Sequence, residues 1–224
     1  MWVKVCGNTR LEDCLQAAEL GADALGFIFA HGKRLVTPEH VRQITRQLPS
    51  TVVTFGVFTQ HDPAFILRMA EAAGITGIQL HGAFDPALAT ELRTHYPQSP
   101  KPRIIQVLHW NTDESVDSQG QSLCQQIVNI AASGLADAVL IDSKTQQASG
   151  GTGVVFDWFA AAPALVGLSF PVIVAGGLRP DNVAEAIATL HPWGVDTSSG
   201  VESAPGIKDH AKLRSFLGNA KRTV

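Results

Sequence analysis

The chain has 224 residues and a formal net charge of −3, and 45% of its residues are hydrophobic, which is enough for a sizeable core. It contains no run of basic residues that would favour nucleic-acid binding, and no apolar run of the roughly 18 residues that a membrane span needs. Cys6, Cys14 and Cys124 lack the number and spacing of a disulfide framework or zinc site, and no signal-peptide segment is evident, so we expect a cytoplasmic protein.

Short apolar runs alternate with helical patterns along the chain. In order, the predicted strands cover residues 2–6, 22–29, 51–58, 77–82, 103–108, 137–142, 171–177 and 194–200. This alternation implies parallel strands joined by crossover helices, and it predicts one (β/α)8 barrel, a TIM barrel, as a single domain over residues 1–224. An open doubly wound sheet is the alternative, but "CGNTR" rather than a GxGxxG motif follows the first strand.

Turn-forming residues mark the ends of the predicted helices. Thr37-Pro38 and Asp62-Pro63 are typical of an N-cap followed by the first helical residue. Glycines that precede the next strand are expected to end helices in the left-handed conformation, namely Gly21, Gly74, Gly134 and Gly194. The polar, poorly periodic segment 109–122 is expected to be a surface excursion after the fifth strand.

The first predicted strand ends at Cys6, and the C-terminal ends of barrel strands form the face that carries function. Because side chains alternate along a strand, Lys4 and Cys6 share one face, and both are expected inside the barrel. Asp196 and Gln79 are candidate partners for the buried ammonium. We hypothesise that Lys4 lowers the pKa of the Cys6 thiol, although a free Cys is also commonly just a small buried hydrophobe.

Asp142 ends the sixth predicted strand and, by the same alternation, should point inward. At this position a role in proton transfer is favoured over the alternative of a helix or loop cap. Glycine-rich stretches follow at 150–153, 175–177 and 198–200. Their main-chain amides could bind a phosphate, although each stretch could also be a tight turn alone.

Three further polar residues lie at or just after the ends of the second and fourth predicted strands and are considered as substrate-binding groups. Arg34 could pair bidentately with a carboxylate or could be a solvated loop charge, and Lys33 beside it is expected to face solvent. His81 could donate to a substrate oxygen or only cap its strand. Asp13, within the first predicted helix, is expected at the surface.

Taken together and in order, "KVCG", "QLHG", "GGTG…FDW" and "VDTSSGVE" resemble the phosphoribosylanthranilate isomerase family of tryptophan biosynthesis. The resemblance covers nearly the whole chain. It implies a (β/α)8 barrel that needs neither a metal nor an organic cofactor. The implied reaction is an Amadori rearrangement, which converts N-(5-phosphoribosyl)anthranilate to 1-(2-carboxyphenylamino)-1-deoxyribulose 5-phosphate.

The resemblance also implies roles for individual residues. Cys6 matches the general base, Asp142 matches the general acid and Arg34 matches the ligand of the anthranilate carboxylate. "FAHGKRLV" departs from the Ser-Pro-Arg-like stretch common in the family, which leaves Lys33 as a competing candidate. The remaining substrate-binding residues are expected to be His81, Gly151, Gly153, Gly176, Gly177, Ser199 and Gly200.

The expected partner is a small phosphosugar, with no nucleic acid and no membrane, and the expected assembly is a monomer or a small homo-oligomer. Two alternatives remain open from the sequence. One is another phosphosugar-binding barrel, although the histidine-pathway isomerase has Asp where this chain has Cys6. The other is a non-catalytic barrel that senses a phosphorylated ligand.

Overall fold

Eight parallel strands form a closed barrel in the computed structural model, which describes residues 1–96, 101–111, 116–145, 148–149 and 157–222. The barrel strands are β1 (Trp2–Val5), β2 (Ala24–Ile28), β3 (Val53–Phe58), β4 (Gly77–Leu80), β5 (Arg103–Asn111), β6 (Ala138–Thr145), β8 (Val172–Val174) and β9 (Gly194–Thr197). A short strand, β7 (Ala148–Ser149), pairs antiparallel with the end of β6.

Helices cover the outside of the barrel. They are α1 (Leu11–Glu19), α2 (Pro38–Thr45), α3 (Pro63–Ala73), α4 (Pro86–His95), α5 (Val116–Ser133), α6 (Trp158–Leu165), α7 (Val183–Leu190) and α8 (His210–Arg222). After β9 come a 3-10 turn (Ser199–Val201) and a hairpin of β10 (Glu202–Ala204) and β11 (Ile207–Lys208). Across the ranges described above, no helix is both long and apolar enough to cross a membrane.

The strand order confirms the predicted TIM barrel. Neighbouring strands run β5-β4-β3-β2-β1-β9-β8-β6, and a further pairing of β5 with β6 closes the ring. That closing contact excludes the open doubly wound sheet, because in an open sheet each of the two outer strands has one edge that pairs with no other strand.

Local sequence signals explain where most helices begin and end. The side chains of Thr37, Asp62 and Asp85 each accept a hydrogen bond from an amide in the first turn of α2, α3 and α4. Gly74 ends α3 in the left-handed conformation, with a φ of 64°. The prediction was wrong for Gly194, which begins β9, because His191 takes the left-handed position after α7 with a φ of 46°.

The prediction of a surface excursion at 109–122 was also wrong for residues 109–111 and 116–122, while residues 112–115 lie outside the described residues. Strand β5 continues to Asn111, where it still pairs with β6, and helix α5 begins at Val116. Polar residues are tolerated here because the two strands satisfy each other's main-chain groups at the barrel rim. This pairing with β5 continues on β6 as far as Lys144, two residues beyond Asp142.

Apolar side chains form two separate clusters, one on each side of the strands. The outer cluster fills the space between strands and helices and includes Val3 and Val5 of β1. The inner cluster fills the barrel and includes Phe55, Val107 and Ile173. This division follows from strand alternation, which sends successive side chains to opposite faces.

Lys4 lies inside the barrel, as predicted, and is fully buried. Its Nζ donates to both carboxylate oxygens of Asp196, at 3.1 Å each. The two residues are register partners on the adjacent strands β1 and β9. The pair therefore links the first and last strands of the ring within its interior.

Replacing Lys4 with Met should lower the free energy of unfolding by about 3–5 kcal/mol, because it leaves the buried Asp196 carboxylate without its cation. Urea unfolding measures the loss. The matched control is Lys221→Met, which removes a partly exposed ion pair with Asp23 and should cost no more than about 1 kcal/mol. Equal losses in the two variants would contradict a structural role for the interior pair.

Candidate active site

A cavity of about 280 Å³ opens at the C-terminal ends of the strands. Every predicted site residue that the structure describes lines it, namely Cys6, Arg34, His81, Asp142, Gly176, Gly177, Ser199 and Gly200. Gly151 and Gly153, also predicted, lie outside the described residues. Residues from six different strand ends therefore meet in one pocket, because parallel strands place all these ends on one rim.

Cys6 directly follows β1, and its side chain lies beside Lys4 above the interior ion pair. Gly26 on β2 makes room for both: a Cβ there would lie 2.7 Å from the Cys6 sulfur and 3.1 Å from Lys4 Nζ. Burial raises the pKa of the Cys6 thiol, and the nearby Lys4 ammonium offsets only part of that rise. Lys4 thus lowers the pKa of the thiol as hypothesised, but desolvation outweighs its charge, so the net shift is upward.

Asp142 lies on β6, on the other side of the cavity, with β9 and β8 between it and β1. Burial raises the pKa of its carboxyl to about 7, and the neighbouring Asp196 carboxylate adds to the rise. The Ser143 amide and the Lys4 ammonium oppose this shift. A carboxyl with this pKa still holds its proton in a large share of molecules at neutral pH, as a general acid must.

The loops that follow β8 and β9 are in close contact with each other. Gly176 and Gly177 have φ values of 83° and 65°, in the left-handed region. A Cβ on Gly200 would lie 1.9 Å from the carbonyl oxygen of Leu178, so only glycine fits at that contact between the loops. Within the described chain, the amides of Gly176, Gly177 and Ser199 donate to no protein acceptor, which leaves them available to an anion.

Arg34 lies in the wall of the cavity and is half-buried. Its Nε and Nη2 donate to the carboxylate of Glu202, at 2.9 and 2.6 Å. Lys33 also borders the cavity but is exposed, as expected. The guanidinium therefore has a fixed orientation, which a solvated Lys33 ammonium lacks.

His81 follows β4 and lies near a second imidazole, that of His109, with ring centroids 6.0 Å apart. Burial lowers the pKa of His81 to about 4, and the positive charges of His109 and Lys4 act in the same direction. The imidazole is therefore neutral at pH 7. Its Nε2 lies within hydrogen-bond distance, at 3.3 Å, of the buried Gln79 side-chain amide.

The described residues include no group of three or more His, Cys, Asp or Glu side chains placed to hold a metal ion. The polar groups of the cavity instead differ in character: a thiol, a carboxyl of raised pKa, a neutral imidazole, a guanidinium and main-chain amides. Such a set can bind an anionic ligand while moving protons to and from it.

The sequence profile of the family described as N-(5'-phosphoribosyl)anthranilate (PRA) isomerase matches residues 3–219 of the chain. The chain belongs to the phosphoribosylanthranilate isomerase family. The family members from Pelobacter propionicus and Geobacter sulfurreducens are each 40% identical to it. The first alignment covers 99% of this chain and 96% of the relative, and the second covers 98% of each.

Solved structures of phosphoribosylanthranilate isomerases have the same fold. The enzyme from Thermotoga maritima is 33% identical, with a TM-score of 0.81 and 99% of each chain covered. A phosphoribosylanthranilate isomerase in complex with reduced 1-(o-carboxyphenylamino)-1-deoxyribulose 5-phosphate is 32% identical, with a TM-score of 0.79 and the same coverage. Another structure concerns monomers generated from the dimeric Thermotoga maritima enzyme, at 31% identity and a TM-score of 0.79 over 99% of each chain.

Two polar residues beside this phosphoribosylanthranilate isomerase cavity were missed by sequence reasoning. Glu202 and Lys208 are both buried and pair with each other at 3.0 Å. The prediction for Asp13 was wrong, because it is buried and accepts hydrogen bonds from the Lys208 amide and His210. The Pro205-Gly206 turn between Glu202 and Lys208 was the one local signal of a hairpin that could have brought them together.

The rate of Cys6 alkylation by iodoacetamide should rise about tenfold per pH unit and should reach no plateau up to the ordinary thiol pKa of about 8.5, because burial raises the pKa of this thiol. The rate is measured by mass spectrometry of the labelled peptide against pH, with Cys6→Ser as the control for Cys14 and Cys124. A rate that already reaches its plateau below pH 8 would show that Lys4 outweighs burial.

Proposed function

We propose that this chain uses Cys6 and Asp142 as the base and acid of the family's Amadori rearrangement in tryptophan biosynthesis. N-(5-phosphoribosyl)anthranilate is the substrate and 1-(2-carboxyphenylamino)-1-deoxyribulose 5-phosphate is the product. The observation that carries the proposal is the placement of a thiol and a carboxyl of raised pKa on separate strands of one cavity. Two groups so placed can act on different atoms of one bound sugar.

Asp142 supplies the first proton. With a pKa of about 7 it holds a proton that it can donate to the furanose ring oxygen. The bond between that oxygen and carbon 1 then breaks, and the lone pair of the anthranilate nitrogen forms a protonated Schiff base. The product of this step is an open-chain iminium with a hydroxyl on carbon 4.

Cys6 takes the second proton. Its thiolate removes the proton from carbon 2, and the electron pair of that C–H bond moves into the iminium, which acts as the electron sink. The resulting enolamine tautomerises to the aminoketone, so that a proton leaves the oxygen on carbon 2 and one is added at carbon 1. Lys4 stabilises the thiolate while the sulfur is ionised.

The ends of the substrate have separate binding groups. The amides of Gly176, Gly177 and Ser199, which bond no acceptor among the described residues, suit the phosphate together with Gly200, and Arg34 suits the anthranilate carboxylate. The neutral His81 suits a substrate oxygen, to which its one N–H can donate. Gly151 and Gly153 remain predicted members of the phosphate site. Binding energy from these remote groups positions carbon 2 and the ring oxygen for proton transfer.

The wider setting follows from the same proposal. One barrel over residues 1–224 carries the activity, and the phosphosugar is its small-molecule partner. The cysteines Cys6, Cys14 and Cys124 are free, which supports a reducing, cytoplasmic location. The expectation of a monomer or a small homo-oligomer remains a prediction.

Freshly prepared N-(5-phosphoribosyl)anthranilate should lose its fluorescence when the wild-type protein is added. Cys6→Ala and Asp142→Asn should each lower kcat at least about a hundredfold, because each removes one of two required proton transfers. Circular dichroism checks that both variants fold, and Cys14→Ala serves as the matched thiol control with near-normal kcat. Near-normal kcat in Cys6→Ala or Asp142→Asn would remove that residue from the mechanism.

The dependence of kcat/KM on pH should be flat between about pH 7.5 and 8.5. The active form needs Asp142 protonated, with a pKa of about 7, and Cys6 ionised, with a pKa above the ordinary thiol value. As pH rises between these two values, the protonated fraction of Asp142 falls while the thiolate fraction of Cys6 rises in proportion. Their product stays constant over that interval.

The measurement is the same fluorescence decay at substrate concentrations well below KM, in a range above the second pKa of the substrate phosphate, which is about 6. A change of less than about twofold across the interval supports the assignment. A fall of nearly tenfold per pH unit would contradict it, because that slope requires a thiol that is already ionised at pH 7.5.

A further inference from the structure

The hairpin that follows the last barrel strand holds a buried ion pair of its own. Glu202 and Lys208 are register partners in β10 and β11, and both side chains lie almost wholly out of solvent. Lys208 Nζ donates to Glu202 Oε1 at 3.0 Å. The proton transfers assigned above to Cys6 and Asp142 make no use of this pair, so its burial needs a separate explanation.

The Glu202 carboxylate accepts from two cations at once. Arg34 donates to it from Nε and Nη2, and Lys208 donates from Nζ to the oxygen Oε1. The amide of Gly206 adds a further bond, at 3.2 Å. Burial alone would raise the pKa of Glu202, but the hydrogen bonds from Arg34 and Lys208 outweigh it and hold the pKa below its ordinary value.

The guanidinium of Arg34 has two edges that can each hold a carboxylate, one formed by Nε and Nη2 and the other by Nη1 and Nη2. Glu202 occupies the first edge. Nη1, on the second edge, makes no hydrogen bond to any residue the structure describes. The arginine stem is confined as well, since a Cβ on Gly7 would lie 2.6 Å from Arg34 Cδ. Arg34 thus keeps one bidentate edge free in the cavity wall.

Lys208 connects this arrangement to the proposed base. Its Nζ also donates to the main-chain oxygen of Cys6, at 2.5 Å, and to that of Ser198, at 3.4 Å. The Lys208 amide is held in turn by the buried Asp13, at 2.9 Å. One ammonium therefore joins the Glu202 carboxylate to the ends of the neighbouring strands β1 and β9.

We propose that Glu202 is a positioning residue, which holds Arg34 by one edge so that the other edge receives the carboxylate of the substrate. Lys208 keeps that assembly at a fixed position relative to Cys6. This inference rests on the proposed function, because it assumes that the substrate carries an aromatic carboxylate. Glu202 itself touches neither the substrate nor the reacting atoms.

Glu202→Gln should raise KM about tenfold while kcat changes less than about threefold, because it weakens the orientation of Arg34 without altering either proton transfer. The matched control is Glu71→Gln, which removes the same charge from an exposed position on α3. Thermal unfolding shows whether each variant folds. An unchanged KM in Glu202→Gln, or a loss confined to kcat, would overturn the inference.

Binding of two ligands distinguishes an effect of Glu202 on the orientation of Arg34 from a general distortion of the cavity. Reduced 1-(o-carboxyphenylamino)-1-deoxyribulose 5-phosphate carries the aromatic carboxylate, and ribulose 5-phosphate lacks it. By calorimetry, Glu202→Gln should weaken binding of the first about tenfold and leave the Kd of the second unchanged. Equal weakening of both would overturn the inference, as would no weakening of the first.

A double-mutant cycle tests whether Glu202 acts through Arg34. In an Arg34→Met background, Glu202→Gln should have no further effect on KM, because the guanidinium that it orients is absent. If the free-energy changes that correspond to the two KM effects simply add, Glu202 acts by another route. Turnover by the wild-type protein is measured first. If the proposed function fails, the wild-type protein shows no turnover. If only this inference fails, the wild-type protein turns over normally and the two substitutions change KM independently of each other.

Discussion

The ion pair between Lys4 and Asp196 is the interaction on which both the barrel and its site depend. It joins the first and last strands of the ring inside the barrel, where each charge is stable only beside the other. Asp196 raises the pKa of Lys4 against the effect of burial, while burial raises the pKa of Asp196 more than Lys4 lowers it. The pair thus places two opposite charges directly beneath the cavity.

That placement influences the acid and the base in opposite directions. The Asp196 carboxylate helps Asp142 to keep its proton, and the Lys4 ammonium favours ionisation of Cys6. Each influence has the sign that the rearrangement requires, although burial is the larger cause for both groups. Around this centre, the proposed function assigns the two charged ends of the substrate to the glycine loops after β8 and β9 and to the guanidinium of Arg34.

Much of this architecture was predictable from the sequence, because alternating strands and helices leave few ways to pack, and a strand end in a barrel points to the cavity. Lys4, Cys6 and Asp142 were found by that reasoning. Glu202 was not, because its contact with Arg34 joins residues 168 positions apart and depends on a short hairpin outside the barrel. The lowering of the Cys6 pKa by Lys4 was foreseen, but the larger and opposite effect of burial was missed, because the sequence shows the neighbouring charge and not the degree of burial.

Neutron diffraction from crystals exchanged into heavy water at about pH 6 tests the central claim directly, because it locates the protons on the interior groups. Lys4 is expected to carry three deuterons, Asp142 one and Asp196 none, since both Asp196 oxygens accept hydrogen bonds from the ammonium while Asp142 titrates near 7. A deuteron on Asp196 together with an ionised Asp142 would contradict the account, because the carboxyl assigned as the acid would then have no proton to give.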